Sequence, residues 1–250
     1  MKRWKRWLSV VLCAVLLLGI VQLFSAAKAG DQTVEAELPF YTLSDPHIFP
    51  DCAQGSRSQE WIDACRLDGK SFNESETIIR TALKTMAARA KKAGVKYVMI
   101  PGDLTKDSEL ISHQVLANLL EDFEKETGME VFVINGNHDV NTLQAVTYEN
   151  DRKEPTKAIT YEEFFDVYKN LGYDHAVAPK GWKGPSYRYA PNKEQVQGGL
   201  SYVADLDDDY RLIVIDSCKY SFDEPEKEET TGVIDADLMA WISAWAAQCK

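Results

Sequence analysis

The 250-residue sequence predicts an α/β fold, because strand-like and helix-like segments alternate along it. Three short apolar runs are typical of strands, and each is followed at once by a polar motif. The runs are residues 40–43, 97–100 and 131–134, and the motifs are Asp45-Pro46-His47, Gly102-Asp103 and Gly136-Asn137-His138-Asp139. In open α/β sheets, ligands and chemistry collect where the strands end. The sequence therefore predicts a functional site built from these three motifs.

Residues 1–29, which precede the first strand, have the pattern of a signal peptide. Four Lys and Arg residues lie within the first six positions, residues 8–24 are almost wholly apolar, and Ala27-Lys28-Ala29 offers a small-x-small cleavage site. The alternative is an uncleaved membrane anchor, since the apolar run approaches the length of a membrane-spanning helix. On either interpretation we expect residues 30–250 to form one exported domain, extracellular or attached to the cell surface.

The chain is acidic, with a formal net charge of -11. Loss of residues 1–29 would remove five positive charges and no negative ones, which makes the charge -16. A surface of this sign repels the phosphate backbone of nucleic acids. We therefore expect no nucleic-acid binding.

A long polar segment, residues 48–72, follows the first motif and contains Cys52 and Cys65. Disulfides can form in an exported protein. A bridge that closes the short loop between Cys52 and Cys65 would stabilise the fold by about 3 kcal/mol. Free thiols are the alternative. The chain has no Cys-x-x-Cys spacing, so a structural zinc site is not expected.

Helical periodicity follows in two segments that flank the second strand. Asn73, with Glu76 three residues later, is predicted to cap the first helix, which ends at Gly94. The second helix is predicted from about Leu110 to Thr127, with one apolar face formed by Val115, Leu119 and Phe123.

The remainder of the chain predicts further elements of both kinds. Residues 141–160 are polar and irregular, and residues 161–171 are predicted to form a short helix. An acidic turn joins two predicted antiparallel strands, 201–206 and 210–216, and Asp235 is predicted to cap a last helix.

The three motifs carry side chains suited to the hydrolysis of a phosphate ester. Two divalent cations about 3.5–4 Å apart promote that reaction at neutral pH, and Asp103 at a strand end suits the carboxylate that bridges them. The residue before a proline is biased toward an extended conformation, so Asp45 and His47 are predicted to point to the same side and share one metal. Asn137 offers an amide oxygen to the other metal, and His138 is left to act as a general acid.

These motifs resemble those of the calcineurin-like metallophosphoesterases, which carry D-x-H, G-D and G-N-H-[DE] in this order. The resemblance extends over roughly residues 38–250 and points to an exported bacterial-type subgroup. It implies a four-layer α/β/β/α sandwich, in which two mixed sheets pack face to face with helices outside. It also implies a substrate-facing, catalytic role for His138 and metal-ligand roles for Asp45, His47, Asp103 and Asn137.

The chain departs from the family pattern in two places. Many relatives have an Asp near the catalytic His where this chain has Lys106, so Asp107 or Asp139 has to substitute. Asp139, next to His138, is counted with it as catalytic. The later His motifs of the family are missing, since no His follows His175, so we expect a sandwich that is incomplete at the C-terminus. We expect His113 to cap or pack a helix and His175 to lie in a loop or on the surface.

The resemblance implies a metal-dependent hydrolase of phosphate mono- or diesters that uses hydroxide bound to two divalent metals. The substrate would be a small-molecule phosphoester, and a set of oxygen and nitrogen donors suits Mn, Fe or Zn without distinguishing them. The alternative is a truncated or non-catalytic remnant of such an enzyme. It would bind one metal weakly at Asp45, His47 and Asp103 and hydrolyse nothing.

Overall fold

The computed structural model describes residues 39–177, 197–219 and 231–248. Its central element is a parallel sheet with the strand order β1-β2-β3. These strands are β1 (Phe40–Thr42), β2 (Tyr97–Pro101) and β3 (Glu130–Ile134), close to the predicted positions. Because all three strands run the same way, their carboxyl ends meet at one edge of the sheet, which is where ligands bind in open α/β sheets.

Helix α1 (Gln59–Asp68) lies inside the long polar segment 48–72, in which the sequence pattern indicates no helix. The hydroxyl of Ser58 caps it by accepting a hydrogen bond from the Trp61 amide, and Gly69, with a φ of 68°, ends it. Only Trp61 of this helix is buried, so its sequence shows little of the apolar periodicity that predicts a helix. The missed helix is therefore a mostly exposed one.

Helix α2 (Ser75–Ala93) ends at Gly94 as predicted, but its predicted start is wrong. Asn73 lies in a single 3-10 turn before the helix and is not its cap. The hydroxyl of Ser75 is used instead to accept a hydrogen bond from the Phe49 amide, over 2.9 Å. This contact with a distant part of the chain decides where the helix begins, and a local capping rule does not contain it.

Helix α3 (Leu110–Thr127) has the predicted bounds, and Gly128 ends it with a φ of 70°. Its buried face is shifted from the predicted one. Val115 and Leu119 are only partly buried, and the buried residues are Ser112, His113, Leu116, Ala117, Leu120 and Phe123. The prediction followed apolar residues alone, whereas this helix also buries polar side chains that find hydrogen-bond partners.

The remaining elements follow the predicted order. Helix α4 (Tyr161–Tyr168) begins with a capping box formed by Thr160 and Glu163. The segment before it, predicted to be irregular, contains a short hairpin, β4 (Val146–Thr147) and β5 (Glu154–Pro155). Strands β6 (Tyr202–Asp205) and β7 (Arg211–Val214) form the predicted antiparallel pair, and Asp235 caps helix α5 (Ala236–Ala246) as predicted.

The main hydrophobic cluster joins the parallel sheet to α2, α3, α4 and β6. The hydroxyl of Tyr202 in β6 donates a hydrogen bond to the Val133 carbonyl of β3 over 2.9 Å, which ties the antiparallel pair to the sheet. The predicted α/β class is confirmed. Within the described residues the strands form three separate sheets of three, two and two strands, and the four-layer sandwich remains a prediction.

The structure leaves the N-terminal segment untested but distinguishes the two alternatives for Cys52 and Cys65. The predicted signal peptide or anchor, residues 1–29, lies outside the described residues. None of the helices in the described ranges is long and apolar enough to cross a lipid bilayer. Of the two alternatives for Cys52 and Cys65, the structure has the free thiols.

Candidate metal centre

The three motifs lie side by side because backbone hydrogen bonds continue beyond the ends of the parallel strands. The amide of His47 donates to the Asp103 carbonyl over 2.9 Å, and the amide of Ile48 donates to the Leu104 carbonyl over 3.0 Å. The third motif follows β3 directly, with Gly136 against Gly102 across the strand ends. The sheet edge therefore brings the predicted site residues together from three distant parts of the sequence.

The backbone at the first two motifs is left-handed. Asp45, His47 and Asp103 have φ values of 51°, 40° and 49°, and they are three of the seven non-glycine residues with positive φ in the described part of the chain. Such conformations cost on the order of 1–3 kcal/mol each and persist only where the surroundings impose them. The predicted extended conformation at Asp45 is therefore wrong, because the tertiary bond of His47 to Asp103 outweighs the local preference before a proline.

The donor atoms of His47, Asp103 and His138 form a cluster in which all lie within 4.8 Å of one another. His47 Nε2 is 3.5 Å from Oδ2 of Asp103, and the two imidazole rings meet edge to face with centroids 4.9 Å apart. The other carboxylate oxygen of Asp103 accepts a hydrogen bond from the His138 amide over 3.2 Å. The carboxylate of Asp103 and the imidazole of His47 are suitable ligands for a divalent transition metal, and the His138 ring lies beside them.

Asp45 does not belong to this cluster, but Asp45 and Asn137 both lie beside the Asp103 carboxylate. Together with Asp103 and Gly136 they line a cavity of about 390 Å³ at the strand ends. The carboxylate of Asp45 is exposed and accepts a hydrogen bond from the neighbouring Ser44 hydroxyl. The other three predicted metal ligands therefore lie around Asp103, with His47 on one side and with Asp45 and Asn137 along the cavity.

His138 is paired with Asp107, the first of the two carboxylates that the sequence left open for this place. Its Nδ1 lies 3.1 Å from Oδ1 of Asp107, and the Lys106 ammonium contacts the other oxygen. Burial by itself would raise the pKa of Asp107, but the hydrogen bonds from His138 and Lys106 outweigh it and the pKa is lowered. Asp107 is therefore ionised at neutral pH and holds the His138 ring by a charged acceptor.

Asp139 has different surroundings, although it was predicted to be catalytic with His138. Its carboxylate is fully buried and accepts hydrogen bonds from the amides of Gly136 (2.7 Å), Leu104 (3.0 Å) and Thr105 (2.9 Å). Burial raises its pKa to about 7, against the lowering effect of those amides. Its hydrogen bonds join the second motif to the third.

The buried side chain of His113 links the backbone of the third motif to helix α4. His113 Nε2 is 2.9 Å from the Asp139 carbonyl, and its Nδ1 is 2.9 Å from the Tyr168 hydroxyl. Burial lowers the pKa of His113 to about 3, so the ring is neutral, with Nε2 donating and Nδ1 accepting. The prediction that His113 packs is confirmed, and His175 lies in a partly exposed 3-10 turn.

One residue at the centre was missed altogether. The ammonium of Lys70 lies 3.2 Å from His47 Nε2. Burial first, and Lys70 second, lower the pKa of His47, against the raising effect of Asp103. A neutral imidazole is the form that binds a metal, so the donor set fits a divalent cation. Lys70 lies in the polar segment 48–72, and no motif in that segment signals its approach to His47.

Comparison with known proteins places these residues within one family. A family model for calcineurin-like phosphoesterases matches residues 38–240, a range that includes every residue of the donor cluster and of the cavity beside it. No curated protein matches the sequence.

Proposed function

Since the chain belongs to the calcineurin-like phosphoesterase family, we propose that it is a metal-dependent hydrolase of phosphate mono- or diesters. The observation that carries the proposal is the cluster of His47, Asp103 and His138, whose donor atoms lie within 4.8 Å of one another at the carboxyl edge of the parallel sheet. Its substrate is then a small-molecule phosphoester, which enters from the cavity along Asp45 and Asn137.

Four side chains would hold the metals: Asp45, His47, Asp103 and Asn137. Asp103 is the suitable bridging ligand, since donors from the first and third motifs lie on its two sides. Divalent cations bound there would supply positive charge toward the phosphoryl oxygens and would acidify a water molecule. Manganese, iron and zinc all accept this combination of carboxylate, imidazole and amide ligands.

We assign His138 as the general acid that protonates the leaving group. Its Nδ1–H donates to Asp107, so a doubly protonated ring presents the Nε2 proton to the leaving oxygen. Lys106 keeps Asp107 ionised and thereby favours the charged ring. Asp139 acts through position, because its carboxylate holds the Thr105 and Gly136 amides that bring the two loops together.

A single weak metal site without hydrolysis is the second candidate. It is favoured by one observation: among the described His, Cys, Asp and Glu side chains, the donor cluster contains His47 and Asp103 but not Asp45. The two candidates differ in the number of metals. Elemental analysis of the folded chain is expected to find two tightly bound metals per molecule for the enzyme, and one or none for the second candidate.

The test of hydrolysis uses p-nitrophenyl phosphate and bis(p-nitrophenyl) phosphate with the full chain loaded with manganese, iron or zinc. We expect turnover that a chelator abolishes and that Asp103→Asn lowers by about a hundredfold or more. Asp208→Asn makes the same charge change in the exposed turn between β6 and β7 and is the matched control. Hydrolysis that survives both the chelator and Asp103→Asn would overturn the proposal.

The proposed location outside the cytoplasm is supported by the pattern of residues 1–29 alone. Expression of the full chain followed by N-terminal sequencing tests it. A mature protein that begins near residue 30 is expected, and an intact N-terminus in the cytoplasmic fraction would contradict both the signal peptide and export.

A further inference from the structure

We propose that a cavity on helix α1, beside the candidate metal centre, receives a second phosphoryl group of the substrate. The preferred substrates are then organic phosphoesters whose leaving group carries another phosphate. This inference rests on the proposed function, because it assigns a substrate class to the same site. The cavity has a volume of about 520 Å³, within the range of small-molecule sites.

One face of α1 and the residues at its two ends form the wall of this cavity. Trp61, Ile62, Cys65 and Arg66 follow one another at helical spacing and supply an apolar surface with a cation at its edge. Arg57 precedes the helix and Lys70 follows it, and both also line the cavity. Three cations thus surround an apolar patch in a chain whose formal net charge is -11.

The backbone at Arg57 is held in a conformation that arginine disfavours. Its φ is 60°, in the left-handed region, while its amide donates to the Gln54 carbonyl over 3.1 Å. Glycine or asparagine would adopt this conformation more easily. A strained residue with a charged side chain at a cavity is a pattern that occurs at binding sites.

The ion pairs that Arg57 and Arg66 form within the chain are weak. A nitrogen of Arg57 lies 3.1 Å from Asp51, and one of Arg66 lies 3.7 Å from Asp63, with all four side chains at least half exposed. Exposed ion pairs of this kind add little to stability. A phosphoryl group, which carries two charges and several acceptor oxygens, is able to displace them and to bind a guanidinium in a bidentate manner.

Lys70 connects this cavity to the centre. Its ammonium is 3.2 Å from His47 Nε2, and no carboxylate of the described residues is paired with it. The ammonium also lies over the ring of Phe72, 5.7 Å from its centroid. A substrate with its reacting phosphate at His47 and Asp103 would pass Lys70 on its way to Arg57 and Arg66. The apolar wall would contact the carbon chain between the two phosphates.

The test compares ligands that differ only in a second phosphonate, because the carbon–phosphorus bond resists hydrolysis. Isothermal titration calorimetry measures hexylphosphonate and hexane-1,6-diylbisphosphonate on the full, metal-loaded chain freed of excess metal. Propylphosphonate and propane-1,3-diylbisphosphonate form a second pair with a shorter distance between the two phosphonates. We expect one of the bisphosphonates to bind about tenfold or more tightly than its monophosphonate partner, the gain of a charge-assisted contact.

The double variant Arg57→Gln/Arg66→Gln is expected to lose this preference and to bind the monophosphonates within about twofold of the unchanged chain. Arg89→Gln, an exposed charge removal on α2 away from the cavity, is expected to keep it. If the double variant fails to fold, the single variants Arg57→Gln and Arg66→Gln, each expected to lose about three- to fivefold, decide the same point.

Equal affinity for the members of both pairs, or a preference that survives in the double variant, would overturn the inference. Failure of the proposed function is seen separately, as an absence of p-nitrophenyl phosphate hydrolysis, which does not enter the ratio of the two affinities. A chain that hydrolyses the ester but shows no bisphosphonate preference is a phosphoesterase without this second subsite.

Discussion

His138 Nδ1 lies 3.1 Å from Oδ1 of Asp107, and this contact leaves Nε2 as the ring nitrogen that the proposed mechanism directs at the leaving group. Asp107→Asn removes the charge that stabilises the doubly protonated ring and permits the ring to adopt the wrong tautomer. We expect kcat for p-nitrophenyl phosphate to fall by about ten- to a hundredfold. The content of bound metal is expected to stay unchanged.

Asp68→Asn is the control for that variant. Asp68 lies 3.7 Å from the same Lys106 ammonium, but its side chain is 45% exposed and it has no contact with the His138 ring in the described residues. It is expected to change kcat by less than about twofold. If Asp107→Asn keeps full activity, Asp107 does not orient the acid, and the assignment of His138 as proton donor loses its support.

Bound metal is expected to stabilise the fold through Asp103. A ligand present at a hundredfold excess over its dissociation constant adds about 2.7 kcal/mol to the free energy of unfolding. For a domain of this size that corresponds to a rise in Tm of about 5–10 °C. Thermal unfolding with and without manganese or zinc should show this rise, and Asp103→Asn should remove most of it.

The control for this measurement is Asp208→Asn, whose carboxylate lies in the β6–β7 turn. That turn is at the opposite end of the sheet from Asp103, since the Tyr97 hydroxyl at the start of β2 donates to the Leu206 carbonyl over 2.7 Å. The control should keep the full rise in Tm. An equal rise in the two variants would show that the metal binds elsewhere.

The close approach of Gly136 to Asp103 gives a third prediction. A Cβ at position 136 would overlap both Oδ1 and the backbone nitrogen of Asp103. Gly136→Ala is therefore expected to displace that carboxylate, to cost about 1–3 kcal/mol of unfolding free energy and to weaken metal binding by at least about tenfold. Calorimetric titration with manganese measures the second effect.

Gly128→Ala separates crowding from the general cost of replacing a glycine. Gly128 has a φ of 70°, and apart from its chain neighbours no atom of the described residues lies within 4 Å of the place that a Cβ would occupy, so alanine there meets only backbone strain. We expect a stability loss of about 1–2 kcal/mol with unchanged metal affinity. Unchanged metal affinity in Gly136→Ala as well would mean that Asp103 is not a ligand.

Much of the sheet could be predicted from the sequence because its strands are short apolar runs with polar residues immediately after them. The bounds of α3 and its end at Gly128 followed from helical periodicity and a glycine stop. The juxtaposition of the motifs followed from the parallel order of β1, β2 and β3. These features depend on local patterns and on one general property of parallel sheets.

The features that the sequence did not predict depend on tertiary contacts. Asp107 could not be preferred to Asp139, since both lie near His138 and only the fold shows which carboxylate reaches the ring. Lys70 and the face of α1 belong to a polar segment without periodicity, so nothing local indicates their approach to His47. The left-handed backbone of Asp45 is likewise imposed by contacts outside its own sequence neighbourhood.

Glu109 is a buried carboxyl at the start of α3 and makes the stability of the fold depend on pH. Its Oε2 accepts hydrogen bonds from the Asp107 amide and the Ser112 hydroxyl, whereas Oε1 has no partner among the described residues. Burial raises its pKa from 4.5 to about 7. Between these values the unfolded chain releases the proton and the folded chain retains it, so the folded state binds more protons and stability falls as pH rises.

Glu109→Gln removes this titration while keeping an oxygen for the same two donors. The variant should gain about 1–3 kcal/mol of unfolding free energy relative to the unchanged chain as pH rises from 4.5 to 7.5. Urea denaturation at the two pH values measures the difference. Glu126→Gln, on the exposed side of the same helix, should show no such gain. Parallel pH dependences for the unchanged chain and Glu109→Gln would mean that the folded state does not hold the Glu109 proton above pH 4.5, which would contradict the prediction.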